Sequence, residues 1–504
     1  MASTFLGLSI TSRGLNAAQI GLATTTNNMS NIDTTGYSRQ VVTQTSVGPA
    51  AVYSSSLVGE GVEVTSVDRV RSFRLDQKYW QQNSASSQAE ATSTCLQQVE
   101  NVFGSTTTSN ITTDLNTFTS ELSTLASSTT DTSVRATVLS DAQTLCDTIN
   151  TASTTLTTQR SDIDSDVKTT VGQINSYATQ IATLNKQISV ASASGASTNE
   201  LEDQRGLVVD DLSGLVGINV IQENNGDLTI AVAGATLVSG DKANELECYT
   251  ITDATSTQNG MSGIRWTDSG KDFDTGDSGA LNGYLQVRDG STADSKGIPY
   301  YISQLDDFAR TFAKAFNEGV TSGSTTYSGS ADGVGIDDDA TTGTRFFSYD
   351  NLSSADLMAS GTDIDAVYSN ITAANISVSK DIIDDTDKIP TASSTGGDSN
   401  VKNLTDLISI CTDVNISGNS TVSGLYNVIV ATVAGASASA QTEYDRKNTS
   451  TTYINTSRSS VSGVSSNEET TNLTTYQAAY AASASMASTW SEIYSTTINM
   501  VNTD

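Results

Sequence analysis

AQIGLATTTNNMSNIDTTGYSRQ, residues 18–40, decides the architecture of this chain. Leading into it, Leu8, Leu15, Leu22 and Met29 recur every seven residues, and Thr11, Ala18, Thr25 and Ile32 fill the alternate three- and four-residue steps. That spacing sets all of them along one seam of a helix. Asn31-Ile32-Asp33-Thr34-Thr35-Gly36 is a run of turn formers that ends the seam. A helix with so narrow a seam has little to bury alone and needs a partner helix.

The opposite end of the chain supplies one. Leu473, Tyr476, Tyr480, Ser483, Ala487, Trp490, Tyr494, Thr497 and Val501 alternate by three and four residues, and Met486 and Ile493 widen the stripe. Seams at both extremes predict N- and C-terminal helices paired as a coiled coil, residues 1–36 with 465–504. The seams are rich in Ala, Ser and Thr, which bury little area at about 25 cal/mol per Å2, so neighbouring copies are needed to add burial.

Between the ends the hydrophobic period changes. Residues 37–70 alternate around Gly59 and Gly61 and read as a hairpin. Residues 72–215 read as long helices, with faces at Leu96, Val99 and Phe103, at Ile111, Leu115, Phe118, Leu122 and Leu125, and at Val134, Val138, Leu145 and Ile149. The clearest face is Val167, Val171, Ile174, Ala178, Ile181, Asn185 and Ile188. From Gly217 the period becomes two, with Asn225-Gly226 as a hairpin signal. Leu305, Phe308, Phe312, Ala315 and Phe316, and later Leu404, Leu407, Ile410, Val422, Leu425, Val428, Ile429 and Val433, restore helical stripes.

The expected fold is therefore mainly α with inserted β: paired terminal helices, a long-helix bundle or rod, and a small antiparallel β domain at the outer end. The rod comprises residues 37–216 with 284–320 and 401–464, and the β domain residues 217–283. Residues 321–400, rich in Gly, Ser, Thr and Asp, are a loop-rich outer excursion or a small extra domain.

Composition narrows the function. The 504 residues include 25 basic and 56 acidic side chains, a formal charge of −31, which repels nucleic acid and favours solubility. No apolar run approaches the roughly twenty residues of a membrane helix, so no membrane partner is expected. The chain opens without a basic segment followed by an apolar one, hence without a Sec-type signal peptide; taken alone, this also fits a cytoplasmic protein. Cys95, Cys146, Cys248 and Cys411 are widely spaced and read as small buried residues, not a disulfide framework or zinc site. Histidine is absent, which removes Ser-His-Asp and Cys-His catalysis. Asp332, Asp337, Asp338 and Asp339 do not have EF-hand spacing and read as a solvated loop. No phosphate-binding glycine motif occurs. No catalytic, cofactor-binding or metal-ligating residue is assigned, and no cofactor is expected.

The segment Asn27-Asn28-Met29-Ser30-Asn31 through Thr35-Gly36-Tyr37 resembles the N-terminal signature of bacterial flagellar axial proteins, the rod, hook and hook-associated proteins. Rod and hook members usually follow Gly-Tyr with Lys. Here Ser38-Arg39-Gln40 follows, the form of hook-associated members at the hook–filament junction. Four further stretches resemble family segments in the family's order. They are Val58-Gly59-Glu60-Gly61-Val62 with Val67 and Arg69; Leu201-Glu202-Asp203-Gln204-Arg205 with Leu212 and Val216-Gly217-Ile218; LNGYLQVRD, residues 281–289, with Tyr301, Leu305-Asp306 and Phe316-Asn317; and Val461-Ser462-Gly463-Val464 with Glu468-Glu469, Leu473, Gln477 and Tyr480.

The resemblance implies a structural, non-enzymatic component of the bacterial flagellum, an adapter joining hook to filament and required for filament assembly. It implies an extracellular location at the hook–filament junction, reached by flagellar type III export without a cleaved signal peptide. The implied partners are further copies in a ring or tubular lattice, the flagellar hook protein, the second junction protein (hook-associated protein 3), and an export chaperone at the C-terminal helix. The expected assembly interface is Leu8, Leu15, Leu22, Met29, Ile32, Leu473, Tyr476, Tyr480, Trp490, Ile493 and Tyr494; the signature residues are Asn27, Asn28, Asn31, Gly36, Tyr37, Arg39 and Gln40. Two other readings compete: another axial protein (hook, distal rod or flagellin), or a secreted surface adhesin.

Overall fold

The computed structural model describes residues 6–48, 59–104, 110–336, 342–359, 363–393, 397 and 400–501. Val58 after the signature, Asp337, Asp338 and Asp339 of the acidic loop, and the side chain of Val501 lie outside the described set. The helices, in chain order, are α1 (Leu6–Ser30), α2 (Phe73–Gly104), α3 (Ile111–Ser127), α4 (Thr132–Ala193), α5 (Asn199–Leu215), α6 (Ala280–Asp289), α7 (Ile298–Glu318), the short α8 (Ser354–Ala359), α9 (Ile364–Tyr368) and α10 (Lys380–Asp384), α11 (Lys402–Thr412), α12 (Val422–Ser462) and α13 (Ser466–Val501). The fold is mainly α with inserted β.

α4 is the spine. Its 62 residues span about 90 Å at 1.5 Å per residue. Asp131 caps its start by accepting from the N–H groups of Ser133 and Val134, and Gly195, at φ +74°, turns the chain just past its end. Threonine is a modest helix former, yet the exposed side of α4 is full of it. There Thr144, Thr155, Thr158, Thr169, Thr179 and Thr183 each donate Oγ1 to the carbonyl four residues back. The helix is held from its other side, where Val138, Leu145, Ile149, Leu156, Val167, Val171, Ile174, Ile181 and Ile188 are buried.

Those residues serve two cores. The first gathers Leu96, Val99 and Phe103 of α2, the α3 face, the first half of α4, and α7, α11 and the start of α12. The segment after α7 contributes Phe346, Phe347, Tyr368 and Ile376 to this same core. Its aromatic centre is tight: Phe347 lies 5.0 Å from Phe312 and 5.1 Å from Phe316, centroid to centroid. The second core joins Trp80, the second half of α4, and Val209 and Leu212 of α5 to the β segment.

β1 (Gln40–Ser46) and β2 (Val62–Arg69) form the antiparallel hairpin that leaves α1. β3 (Ile218–Gln222), β4 (Leu228–Val232), β5 (Ala235–Ser239) and β6 (Lys242–Ala243) follow as a four-stranded sheet in chain order. Gly226, at φ +87°, makes the β3–β4 turn. β7 (Leu246–Thr250) and β8 (Ser262–Trp266) form a further hairpin. The sheet is sewn to α4 and α5. Asn185 of α4 donates to the carbonyls of Leu228 and Gly240 at 2.9 and 2.8 Å, and Arg205 of α5 donates to that of Gly226 at 2.9 Å. The sheet thus lies beside the end of α4 that meets α5, and because Asp203 of α5 also bonds Ser38 just past α1, it sits near the terminal pair and not at the outer end expected from the sequence.

α12 runs back along α2, and α13 runs along α1. One expectation needs correction here. A stretch of 18 residues within Val422–Met500 reaches a mean hydropathy of 1.3, enough by length and composition to cross a membrane. Val422, Tyr426, Ile429 and Val433 bury part of that apolarity in the first core.

Candidate assembly interface

α1 and α13 lie antiparallel. The face of α1 that meets α13 is not the leucine seam. All three glycines of α1 face it, Gly7 opposite Trp490, Gly14 opposite Ser483 and Gly21 opposite Tyr476. Thr11, Ala17, Ala18, Gly21, Thr24, Thr25 and Asn28 are the buried residues of α1. A glycine face lets a large ring reach the backbone, so contact forms there and the adjacent leucines turn away. Leu8 and Ile32 are exposed, and Leu15, Leu22 and Met29 are half-buried.

On α13, Leu473, Tyr476, Trp490 and Tyr494 are half-buried, and Trp490 and Tyr494 stack at 5.8 Å. Tyr480 and Ile493 are 39% and 45% exposed. Met486, Ile498 and Met500 are 53%, 56% and 69% exposed, so a stripe of large apolar side chains runs along the outside of the pair. Of the expected interface residues, Tyr476 and Trp490 join the two helices to each other, Leu8, Ile32, Tyr480 and Ile493 face outward, and Leu15, Leu22, Met29, Leu473 and Tyr494 are half-buried.

The signature residues form the joint at the base of this pair. Asn28, 1% exposed, accepts from the Gln40 backbone N–H at 3.0 Å and from the Tyr37 hydroxyl at 2.8 Å, and donates Nδ2 to the Gln40 carbonyl at 2.9 Å. Asn31 donates to both the carbonyl and Oδ1 of Asn27 at 3.0 Å, and Asn27 Nδ2 donates to the Tyr37 hydroxyl at 3.4 Å. Gly36 holds φ +83° against Leu207 of α5, in the left-handed region where glycine carries no Cβ penalty.

From there the joint reaches three other elements. The Ser38 backbone N–H donates to Asp203 Oδ2 of α5 at 2.9 Å, and Gln40 Nε2 donates to Glu200 at 3.1 Å. Arg39 donates its N–H to the Ser462 carbonyl at 2.8 Å and Nη1 to Glu468 at 2.7 Å, tying α1 to the α12–α13 turn. Arg69 binds Asp203 at 2.6 Å and pairs with Glu202. Burial, with the carboxylates of Asp203, Glu200 and Glu469 nearby, pushes the Tyr37 hydroxyl up to about 12, so it stays a proton donor at physiological pH.

A second polar knot lies just above. Arg458 of α12 pairs with Asp210 at 2.8 Å and sits 4.0 Å over the Tyr79 ring, and Trp80 Nε1 donates to Asp210 at 2.6 Å. Arg71 pairs with Asp76 at 2.8 Å. Arg205, deep in the joint, is pulled down to about 10 by burial, with Glu202 opposing that shift. The joint has the make-up of a clasp, in which Arg39, Arg69, Arg71 and Arg458 each pair with a carboxylate while Arg205 is held by the Asn185 side chain and the Gly226 carbonyl.

The sequence reading missed the partners Arg458, Asp76 and Asp210, and it named Ser462 only within a family-like segment. It also missed the glycine row, although Gly7, Gly14 and Gly21 recur every seven residues, as do Tyr476, Ser483 and Trp490.

Three sequence profiles match this chain. The flagellar hook-associated protein FlgK helical domain matches residues 96–336, the flagella basal body rod protein residues 8–37, and the flagellar basal body rod FlgEFG protein C-terminal region residues 456–500. The last two coincide with α1 plus its signature and with the end of α12 plus α13, so the terminal pair is the part held in common with other axial proteins. Flagellar hook-associated protein 1 of Bacillus subtilis is 31% identical over 524 residues, covering 99% of both chains. The Escherichia coli protein of that name is 27% identical over 309 residues, 60% of this chain and 55% of its own. The solved flagellar hook junction protein FlgK from Burkholderia pseudomallei is 28% identical, covers 54% of this chain and 46% of that one, and superposes with a TM-score of 0.44. With a relative matched from end to end, and with its signature residues forming the joint of a paired-terminus fold, the chain belongs to the flagellar hook-associated protein 1 family.

Proposed function

We propose that this protein is the structural adapter that joins hook to filament at the hook–filament junction of the flagellum, and that filament assembly requires it. The observation that carries this is the apolar outer face of the terminal pair: Leu8, Ile32, Tyr480, Met486, Ile493, Ile498 and Met500 are exposed although large and apolar. Such a stripe on a weakly buried helix pair gains most from burial against neighbours. Residues 1–36 with 465–504 line the inner tube in this reading, packed against further copies in a ring. The rod, residues 37–216 with 284–320 and 401–464, forms the next shell; residues 217–283 pack on its second core, and Phe346, Phe347, Tyr368 and Ile376 on its first.

The hook protein lies on one side of the ring and the second junction protein, hook-associated protein 3, on the other. Joining is mechanical, by many weak repeated contacts, and needs no catalysis or cofactor. The chain leaves the cell through the flagellar export apparatus with its N-terminus uncleaved. Before export a chaperone covers the aromatic face of α13, which suits an amphipathic helix seated in a groove. Gold-labelled antibody against the exposed Glu223–Asn225 stretch of the β3–β4 turn, viewed by electron microscopy on isolated hook–basal bodies, tests the reading. Label confined to the distal end of the hook is expected; label along the filament or over the cell surface contradicts it.

A further inference from the structure

A Cβ on Gly7 would lie 2.2 Å from Trp490 Cε2, and one on Gly21 2.5 Å from Tyr476 Cδ1, distances no side chain can occupy. At Gly14 the partner is small, with Ser483 Oγ 3.1 Å away. Glycine inside a helix is unfavourable relative to alanine, so three in one helix weaken it unless the approach they permit returns more. Large, small, large on α13 meets three gaps of matching spacing on α1, and the two rows run in opposite directions.

We propose that Gly7, Gly14 and Gly21, together with the Arg39 joint, form a register key, which commits α1 to the C-terminal helix of its own chain in one antiparallel alignment and leaves the outward faces for other copies. Slipping α13 by seven residues one way sets Tyr476 against Asn28, whose side chain is engaged with Tyr37 and Gln40. Slipping it seven the other way sets the buried carboxylate of Glu469 against Gly21 and carries Trp490 past Leu6. A slip of four residues is the serious rival, since it offers Tyr494, Ala487 and Tyr480 to the same glycines. The joint selects against it. Arg39 holds Ser462 and Glu468, which fixes the base of α13 beside the base of α1.

Engineered disulfides in the full-length protein, in a Cys248→Ser background, test the key apart from any role at the junction. Gly14→Cys with Ser483→Cys brings two Cβ atoms to 3.9 Å, close to the mean of about 3.8 Å for disulfides. Mild oxidation is expected to give an intrachain bond, seen as a faster-migrating monomer, and Gly14→Cys with Ala487→Cys is expected to give none. Adding Gly21→Ala to the first pair should abolish the bond, and adding Tyr476→Ala as well should restore it. A bond from the Ala487→Cys pair, or an interchain dimer from the Ser483→Cys pair, overturns the proposal. So does a Gly21→Ala change without effect, or one that Tyr476→Ala fails to rescue.

Discussion

The backbone N–H of Ser38 donates to Oδ2 of Asp203 at 2.9 Å, joining residues 165 apart in the chain. Two of the short stretches that resemble flagellar family segments, the N-terminal signature and the mid-chain Asp-Gln-Arg segment, are thus two sides of one contact. Asp203 also receives Arg69 at 2.6 Å, so one buried carboxylate holds the exit of α1, the end of β2 and the start of α5.

Asp203→Ala leaves the Ser38 N–H and the Arg69 guanidinium short of an acceptor in a buried place. Breaking a buried pair from one side costs about 3 kcal/mol. A lower urea midpoint is expected, with Asp203→Asn milder because it keeps one acceptor oxygen. Equal midpoints for Asp203→Ala and the native chain would remove the joint from this account.

Asp164 supplies a pH dependence. Burial alone would raise its pKa, but Lys168, Ser262 and Arg288 together hold it below the usual carboxylate value. A depressed carboxylate contributes stability that is complete above the unfolded value of about 3.9 and disappears as pH falls through the folded one. Asp164→Asn should therefore be less stable than the native chain at pH 7, and the gap should close as pH falls below about 4. Chemical unfolding at a series of pH values measures this; a gap that persists or grows in acid contradicts it.

The cysteines should divide by accessibility. Burial pushes the Cys95 and Cys411 thiols up to about 12 and raises that of Cys146 too, so hardly any thiolate is present at pH 8. Cys248 is raised by burial as well, but it alone of the four is only partly buried. With a colorimetric thiol reagent on the folded protein, Cys248 should react first and the other three only on unfolding.

Much of this fold can be read from the sequence, and the gaps have physical causes. The Val167 to Ile188 stripe is legible because apolar residues sit at every step of a strict alternation except Asn185, and every residue of it is buried. The pairing of the chain ends is legible for the same reason, but the contact face of α1 is not. Leucine and glycine heptads run side by side one residue apart, and hydrophobicity favours the leucines while close approach needs the glycines. Phe346-Phe347 gives no periodic signal, because its ladder partner, Ile376–Val378, lies some thirty residues on across polar loops. The joint rests on backbone N–H groups and isolated charges, which no spacing rule reveals.

In the proposed function the outward face of the terminal pair, and not its inner seam, makes the contacts that build the junction. Met486→Asp with Ile493→Asp alters two exposed side chains and leaves Trp490 and Tyr476 in their glycine gaps. The most direct measurement is electron microscopy of cells carrying this variant as their sole copy, beside the melting curve of the purified protein. The account predicts an unchanged melting temperature and hooks that bear no filament. Full-length filaments on those hooks would contradict it.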